Sequence, residues 1–300
     1  MSSAPMTRHR PWWRRRAATG ALYALPTAAF IALFFVVPLV TVGTMSLNEW
    51  QLIGGNKGFN APENFVSLLD ETQLWPSIVF TVKYTVIVTV IMLALALGIA
   101  LIVQETSRWS SFLRTAILVP SALGLASASL LFYGMYSPNI GPISPFLQWL
   151  GIIDQPISFL GTPDAALWST VFLIVWRFTG FYMLILMVGL QGISMDIYEA
   201  GRIDGASRWQ MFVGITLPLL RPSIAMSVIL CVTGSLLAFD QFYILTKGGP
   251  DNSTMTVVQL IYRLAFGRFD LGAAAALSIV VLVALVLINF VQFKSLRAKD

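Results

Sequence analysis

Six long apolar runs, separated by short polar breaks, fill most of this chain of 300 residues. A helix needs roughly 20 predominantly apolar residues to cross a hydrocarbon core, and the runs at 21–46, 77–103, 115–136, 165–190, 222–246 and 272–293 all reach that length. Composition points the same way: 57% of residues are apolar, 11% are charged and the mean hydropathy is +0.77. A soluble domain carries about 25% charged residues. The pattern predicts an all-α integral membrane protein of six transmembrane helices. Its single membrane domain, 21–293, lies between a basic segment, 1–20, and a short tail, 294–300.

Charge sets the expected orientation. Arg8, Arg10, Arg14, Arg15 and Arg16 precede the first run, with Trp12 and Trp13 beside them. That run is too long for the 7–15-residue core of a signal peptide, and no small-residue cleavage site stands out. It reads as a cytoplasmic anchor with interfacial tryptophans. Alternate loops then carry 13 Lys/Arg on one side and four on the other (Lys57, Lys247, Arg263, Arg268), with Lys83 and Arg177 inside runs. The positive-inside rule puts both termini and the 191–221 loop in the cytoplasm. The net charge of +5 therefore follows topology and gives no patch for nucleic acid. One Cys and one His exclude an internal disulfide and a His/Cys metal site.

The external loops 47–76 and 137–164 are rich in Gly and Pro with aromatic anchors such as Phe65 and Trp149, and read as ordered turns. The cytoplasmic stretch from Tyr198 to Pro222 reads as two short helices. Ser207 and Gln210 have the form of a capping box that starts the second helix at Arg208, and Gly205 permits the turn after Asp204. Tyr198, Ile203, Met211, Phe212 and Ile215 supply apolar knobs. A solvated connector with an i,i+3 pair between Glu199 and Arg202, worth only about 0.2–0.5 kcal/mol, is the plain reading of such a loop.

That same stretch resembles the EAA loop of permease subunits of ATP-binding-cassette importers: Glu199, Ala200, Asp204, Gly205, Ala206, Phe212, Leu217, Pro218 and Pro222 stand at the pattern's spacings, and Gly201 replaces its usual Ala. The resemblance implies a coupling helix in a cleft of a cytoplasmic ATPase, with Glu199, Ala200, Gly201, Asp204 and Gly205 at the contact and Arg208 beside them. Further on, Phe239-Asp240 through Thr246-Lys247-Gly248-Gly249-Pro250, then Thr254, Tyr262, Ala265-Phe266 and Gly272-Ala273 to Ala276, resemble the carbohydrate branch of these permeases. Gly-Gly-Pro suits a helix exit, and the small residues after Gly272 suit close helix approach.

Together the resemblances imply a type I importer subunit in a bacterial cytoplasmic membrane. The implied partners are a second permease, two ATPase subunits that bind ATP and Mg, membrane lipid and an extracytoplasmic solute-binding protein, with sugars or glycerol phosphates as solutes. The chain has no G-x-x-x-x-G-K-[ST] phosphate loop of its own, so it is expected to be a transport subunit, not an enzyme. External loops hold more acidic than basic residues, which leans towards a neutral solute. Polar groups within spans are costly and are candidate solute contacts: Arg177, Ser235, Asp240 and Gln241, with Trp176, Phe181 and Tyr182 near Arg177 in the sequence as aromatic faces for a sugar's C–H surface. Arg177 with Asp240 fits equally a buried ion pair. Lys83 reads as snorkelling to the interface, and Asn289 as helix packing. An ion-coupled transporter would need inverted repeats and midspan carboxylates; Asp240 is the single carboxylate in a span and no repeat is seen.

Overall fold

The computed structural model describes residues 12–105 and 107–297, with side chains from 19 to 294. The arginine cluster at 8–16, the tryptophans beside it and the end of the basic tail lie outside those described side chains. Among the described residues five spans are long and apolar enough to cross a membrane: Thr19–Ser46, Leu74–Val103, Pro163–Gln191, Arg221–Leu245 and Leu271–Lys294. The third predicted span is different. It consists of Arg108–Ala122 and Leu125–Met135, bent by 95° at Leu123 and Gly124. Pro120 cannot donate a backbone hydrogen bond, the chain tightens to a 3-10 turn over Val119–Ala122, and Leu123 turns extended.

The core lies between the second and fourth spans. Tyr84, Val88, Met92, Ala96 and Ala100 recur every four residues on one face of the second span and are buried. The two alanines leave room for the fourth span, whose Leu173, Met183, Leu186 and Leu190 fill the other side. Asn289 accepts from Thr233 Oγ1 at 3.0 Å, joining the fifth and sixth spans. Lys83 is exposed on the second span.

Outside the membrane the first loop folds into a hairpin of Asn48–Gln51 and Gly55–Phe59, then the helix Glu63–Leu69. The sequence reading foresaw turns here but no strands. The hairpin is tied to the start of the sixth span by Leu52 N donating to Phe269 O at 2.8 Å, and by Arg268 paired with the buried Glu71. Asn64 Nδ2 donates to Ser46 O and Asn48 O at 2.9 and 2.8 Å. A Cβ on Gly272 would fall 2.7 Å from Asn48 O and 2.9 Å from Asn64 Nδ2. Gly272→Val is therefore expected to cost about 1–3 kcal/mol, seen as a lower thermal unfolding midpoint of the purified protein; an unchanged midpoint would contradict this packing.

Candidate functional site

Two places bring the sequence candidates together. The first is the helical hairpin between the fourth and fifth spans. Its first helix, Met195–Ile203, is capped by Ser194, whose Oγ accepts from Asp196 N at 3.3 Å. It ends in a left-handed Gly205 (φ 76°), with Ala206 N on Gly201 O at 2.9 Å and Gly205 N on Arg202 O at 3.1 Å. Those two bonds satisfy carbonyls that a helix end would otherwise leave free. The capping box forms in both directions: Ser207 N donates to Gln210 Oε1 at 2.8 Å and Gln210 N to Ser207 Oγ at 3.3 Å. Tyr198 and Thr216 hydroxyls meet at 3.0 Å and pin the two arms. A π-turn over Phe212–Thr216 then leads through Leu217–Leu219 into the fifth span with a break only at Leu220, so Pro218 and Pro222 kink the path more than they interrupt it.

Glu199, Ala200, Asp204, Gly205 and Arg208 are exposed, and none of the charged ones has an ion-pair partner among the described residues. The pair between Glu199 and Arg202 is not formed. Gly201 is half-buried, and a methyl there would point inward, 3.2 Å from Ile215 Cδ1 and 3.7 Å from Met211 Cγ. The Gly at this position thus acts on packing inside the hairpin. Of the apolar knobs, Tyr198, Met211, Phe212 and Ile215 face the hairpin's interior or its base, while Ile203 is 85% exposed. Trp209, missed in the sequence, is 71% exposed. Its signal was a large aromatic residue in an otherwise polar helix start.

The second place is a cavity of about 360 Å³ between the second, fourth and fifth spans. Such a size falls within the roughly 300–1,000 Å³ of small-molecule sites. The fifth span unwinds beside it: helix Arg221–Leu236 stops, Leu237 to Phe239 are irregular, and a new helix runs Asp240–Leu245. Irregular backbone at membrane depth is tolerated where it is buried in protein or lines a cavity, and the freed Ala238 O accepts from Thr256 Oγ1 at 2.8 Å. Phe181, Tyr182, Ser235, Asp240 and Gln241 all line the cavity, with Tyr84, Phe178, Cys231 and Phe239. Gln241 donates from Nε2 to Tyr84 OH at 3.1 Å, and its buried Oε1 has no hydrogen-bond partner among the described residues.

Trp176 and Arg177 lie outside that lining. Trp176 packs on Phe132, 5.1 Å between ring centres. Arg177 serves the bend of the third span: Nε and Nη2 donate to Leu123 O at 2.9 and 2.6 Å, its own carbonyl accepts from Ser121 Oγ at 2.7 Å, and its guanidinium sits 4.1 Å above the Phe178 ring. Neither Arg177 nor Asp240 is in an ion pair among the described residues, so the pair between them is not formed.

A multi-span domain with a capped hairpin between its fourth and fifth spans and a cavity at an unwound helix has the architecture of a transport subunit. Residues 94–295 match the family model of the binding-protein-dependent transport system inner membrane component, and the chain belongs to that family. It is a permease subunit of an ATP-binding-cassette importer, a result that leaves no place for the ion-coupled alternative. It is 32% identical over 280 residues to the trehalose/maltose transport system permease protein MalF of Thermococcus litoralis, covering 93% of this chain and 94% of that one. With the lactose transport system permease protein LacF of Rhizobium radiobacter it shares 34% over 285 residues, 93% and 94% of the two chains. The fold matches, at a TM-score of 0.85 and 22% identity, a bacterial ABC transporter involved in import of the acidic polysaccharide alginate, over 96% of this chain and 99% of that one.

Proposed function

We propose that this chain forms half of the pathway by which a sugar or sugar-like solute, delivered by an extracytoplasmic binding protein, crosses a bacterial plasma membrane. The observation that carries this reading is the cavity itself. Aromatic rings of Tyr84, Phe178, Phe181, Tyr182 and Phe239 offer faces to the C–H surface of a pyranose, while Asp240, Gln241 and Ser235 offer hydroxyl partners at the unwound fifth span. The relatives named as maltose and lactose permeases support the same solute class.

The other half of the pathway belongs to a second permease. The first span supports this, because none of the residues in its most apolar stretch is buried within the chain. ATP and Mg bind to two ATPase subunits, whose closure draws in the hairpins of both permeases through Glu199, Ala200, Asp204, Gly205 and Arg208. Both termini and the hairpin face the cytoplasm in this arrangement, as the charge asymmetry requires.

The solute is identified by screening sugars against the binding protein of the assembled importer, and its uptake is then measured. Gln241→Leu removes a buried hydrogen-bonding group, a loss of about 1–3 kcal/mol, and is expected to raise the KM for uptake about 5- to 150-fold while ATPase stimulation by the loaded binding protein persists. Wild-type KM in both Gln241→Leu and Asp240→Ala would remove the cavity from the pathway.

A further inference from the structure

An aromatic ladder leaves the central cavity and ends in a second, outer groove. Phe239, in the cavity lining, stacks with Tyr243 at 5.1 Å between ring centres and lies 5.3 Å from Tyr262. Tyr262 is in turn 5.0 Å from Tyr243 and 5.0 Å from Phe266. The outer three rings line a groove of about 310 Å³ together with Lys247, Asn252, Gln259 and Arg263.

The groove is built, not incidental. Lys247 (φ 51°) and Gly248 (φ 87°) make the left-handed exit from the fifth span, and Thr254 Oγ1 bonds both Thr246 Oγ1 and Gly249 O at 2.7 Å, holding the loop that forms the groove's rim. Arg263 Nη1 donates to Asn252 Oδ1 at 3.1 Å, and no carboxylate pairs with Arg263 or Lys247 among the described residues. Gln259 is 5% exposed, and its Oε1 is buried with no hydrogen-bond partner among the described residues.

We propose that this groove is a second sugar-ring subsite, outside the central cavity, in which Tyr262 and Phe266 stack on one ring while Arg263 and Lys247 donate to its hydroxyl oxygens. The inference rests on the reading of the cavity as a sugar pathway. The aromatic contacts run without a gap from Phe239 in the cavity to Phe266 in the groove, so cavity and groove are held by a single chain of two or more rings. The groove adds affinity for length, and the solute class narrows from sugars in general to oligosaccharides.

The only cysteine of the sequence, Cys231, makes a clean test possible. In a Cys231→Ala background, whose uptake is first measured against wild type because Cys231 lines the central cavity, Gly267→Cys places one thiol at the groove, where a Cβ meets Arg263 Cγ at an ordinary 3.5 Å. The complete importer, reconstituted with its ATPases and binding protein, is treated with a small thiol reagent in the presence of maltotriose, raffinose, glucose or galactose. A trisaccharide is expected to slow labelling, its monosaccharides to leave it unchanged, and Tyr262→Ala to weaken the protection about tenfold, the scale of one lost aromatic anchor. Equal protection by monosaccharides, or none by either trisaccharide, overturns the subsite. Failure of the sugar-importer reading itself is distinguishable, because the wild-type complex would then show no ATPase response to a binding protein offered any sugar.

Discussion

Reversing the charge at Glu199 is expected to abolish ATP-driven uptake while the protein still inserts and folds. Glu199 is exposed and takes part in no ion pair among the described residues, and the hairpin is held by other groups: the Ser207–Gln210 box, the Tyr198–Thr216 contact and the turn at Gly205. Placing Lys beside Arg202 costs the helix only about 0.2–0.5 kcal/mol, too little to melt it. At a docked interface the arithmetic differs. Breaking a buried, hydrogen-bonded charge pair costs about 2–5 kcal/mol, or roughly 30- to 5,000-fold in coupling. Uptake and binding-protein-stimulated ATPase activity should both fall by that order in Glu199→Lys, with membrane levels unchanged. Wild-type uptake in this variant would count against the coupling role. Ile203, exposed one helical turn on from Glu199, and the exposed Trp209 of the next helix belong to the same hairpin, and their truncation should act in the same direction.

The second large effect is expected at Arg177, and it is structural. Two donors from one guanidinium satisfy Leu123 O at the 95° bend of the third span. Losing both donors leaves the Leu123 carbonyl without its partner at a point where the extended Leu123 has already interrupted the helical bonds. Arg177→Leu should lose about 1–3 kcal/mol, enough to lower the amount of folded protein in the membrane. Arg177→Lys, which keeps one donor and loses the planar fork, should fall between. Quantitative blotting and thermal unfolding in detergent report the order Arg, Lys, Leu. A stable Arg177→Leu protein with impaired uptake would instead return this side chain to the solute pathway.

These two residues also mark what a sequence can disclose. Local signals were sufficient for the hairpin: a capping box, a Gly after the last helical residue and a polar stretch between apolar runs are each readable within a few positions. The existence of the five long spans follows from length and hydropathy alone. The bend in the third span left traces, Pro120 and Gly124, yet apolar residues on both sides hid it within one run. The unwinding of the fifth span left none. Residues 236–239 read Leu-Leu-Ala-Phe, good helix formers, and the loop that stabilises the break supplies Thr256, 18 positions further on. Arg177 stands out in the sequence as a charge within a span, but its partner, the carbonyl of Leu123, is 54 residues away and carries no side-chain signature. Asp240 and Gln241 gained neighbours for the same reason: only the fold brings Tyr84, Phe181 and Tyr182 around them.

The most direct test of the importer assignment is purification of this chain from its native membranes in mild detergent, followed by mass-spectrometric identification of the retained proteins and assay of the complex. Recovery with a phosphate-loop ATPase, a second six-span permease and a solute-binding protein, and with ATPase activity that rises when the binding protein is loaded, is the predicted result. Recovery of the chain alone, stable and active in ion-driven uptake, would contradict it.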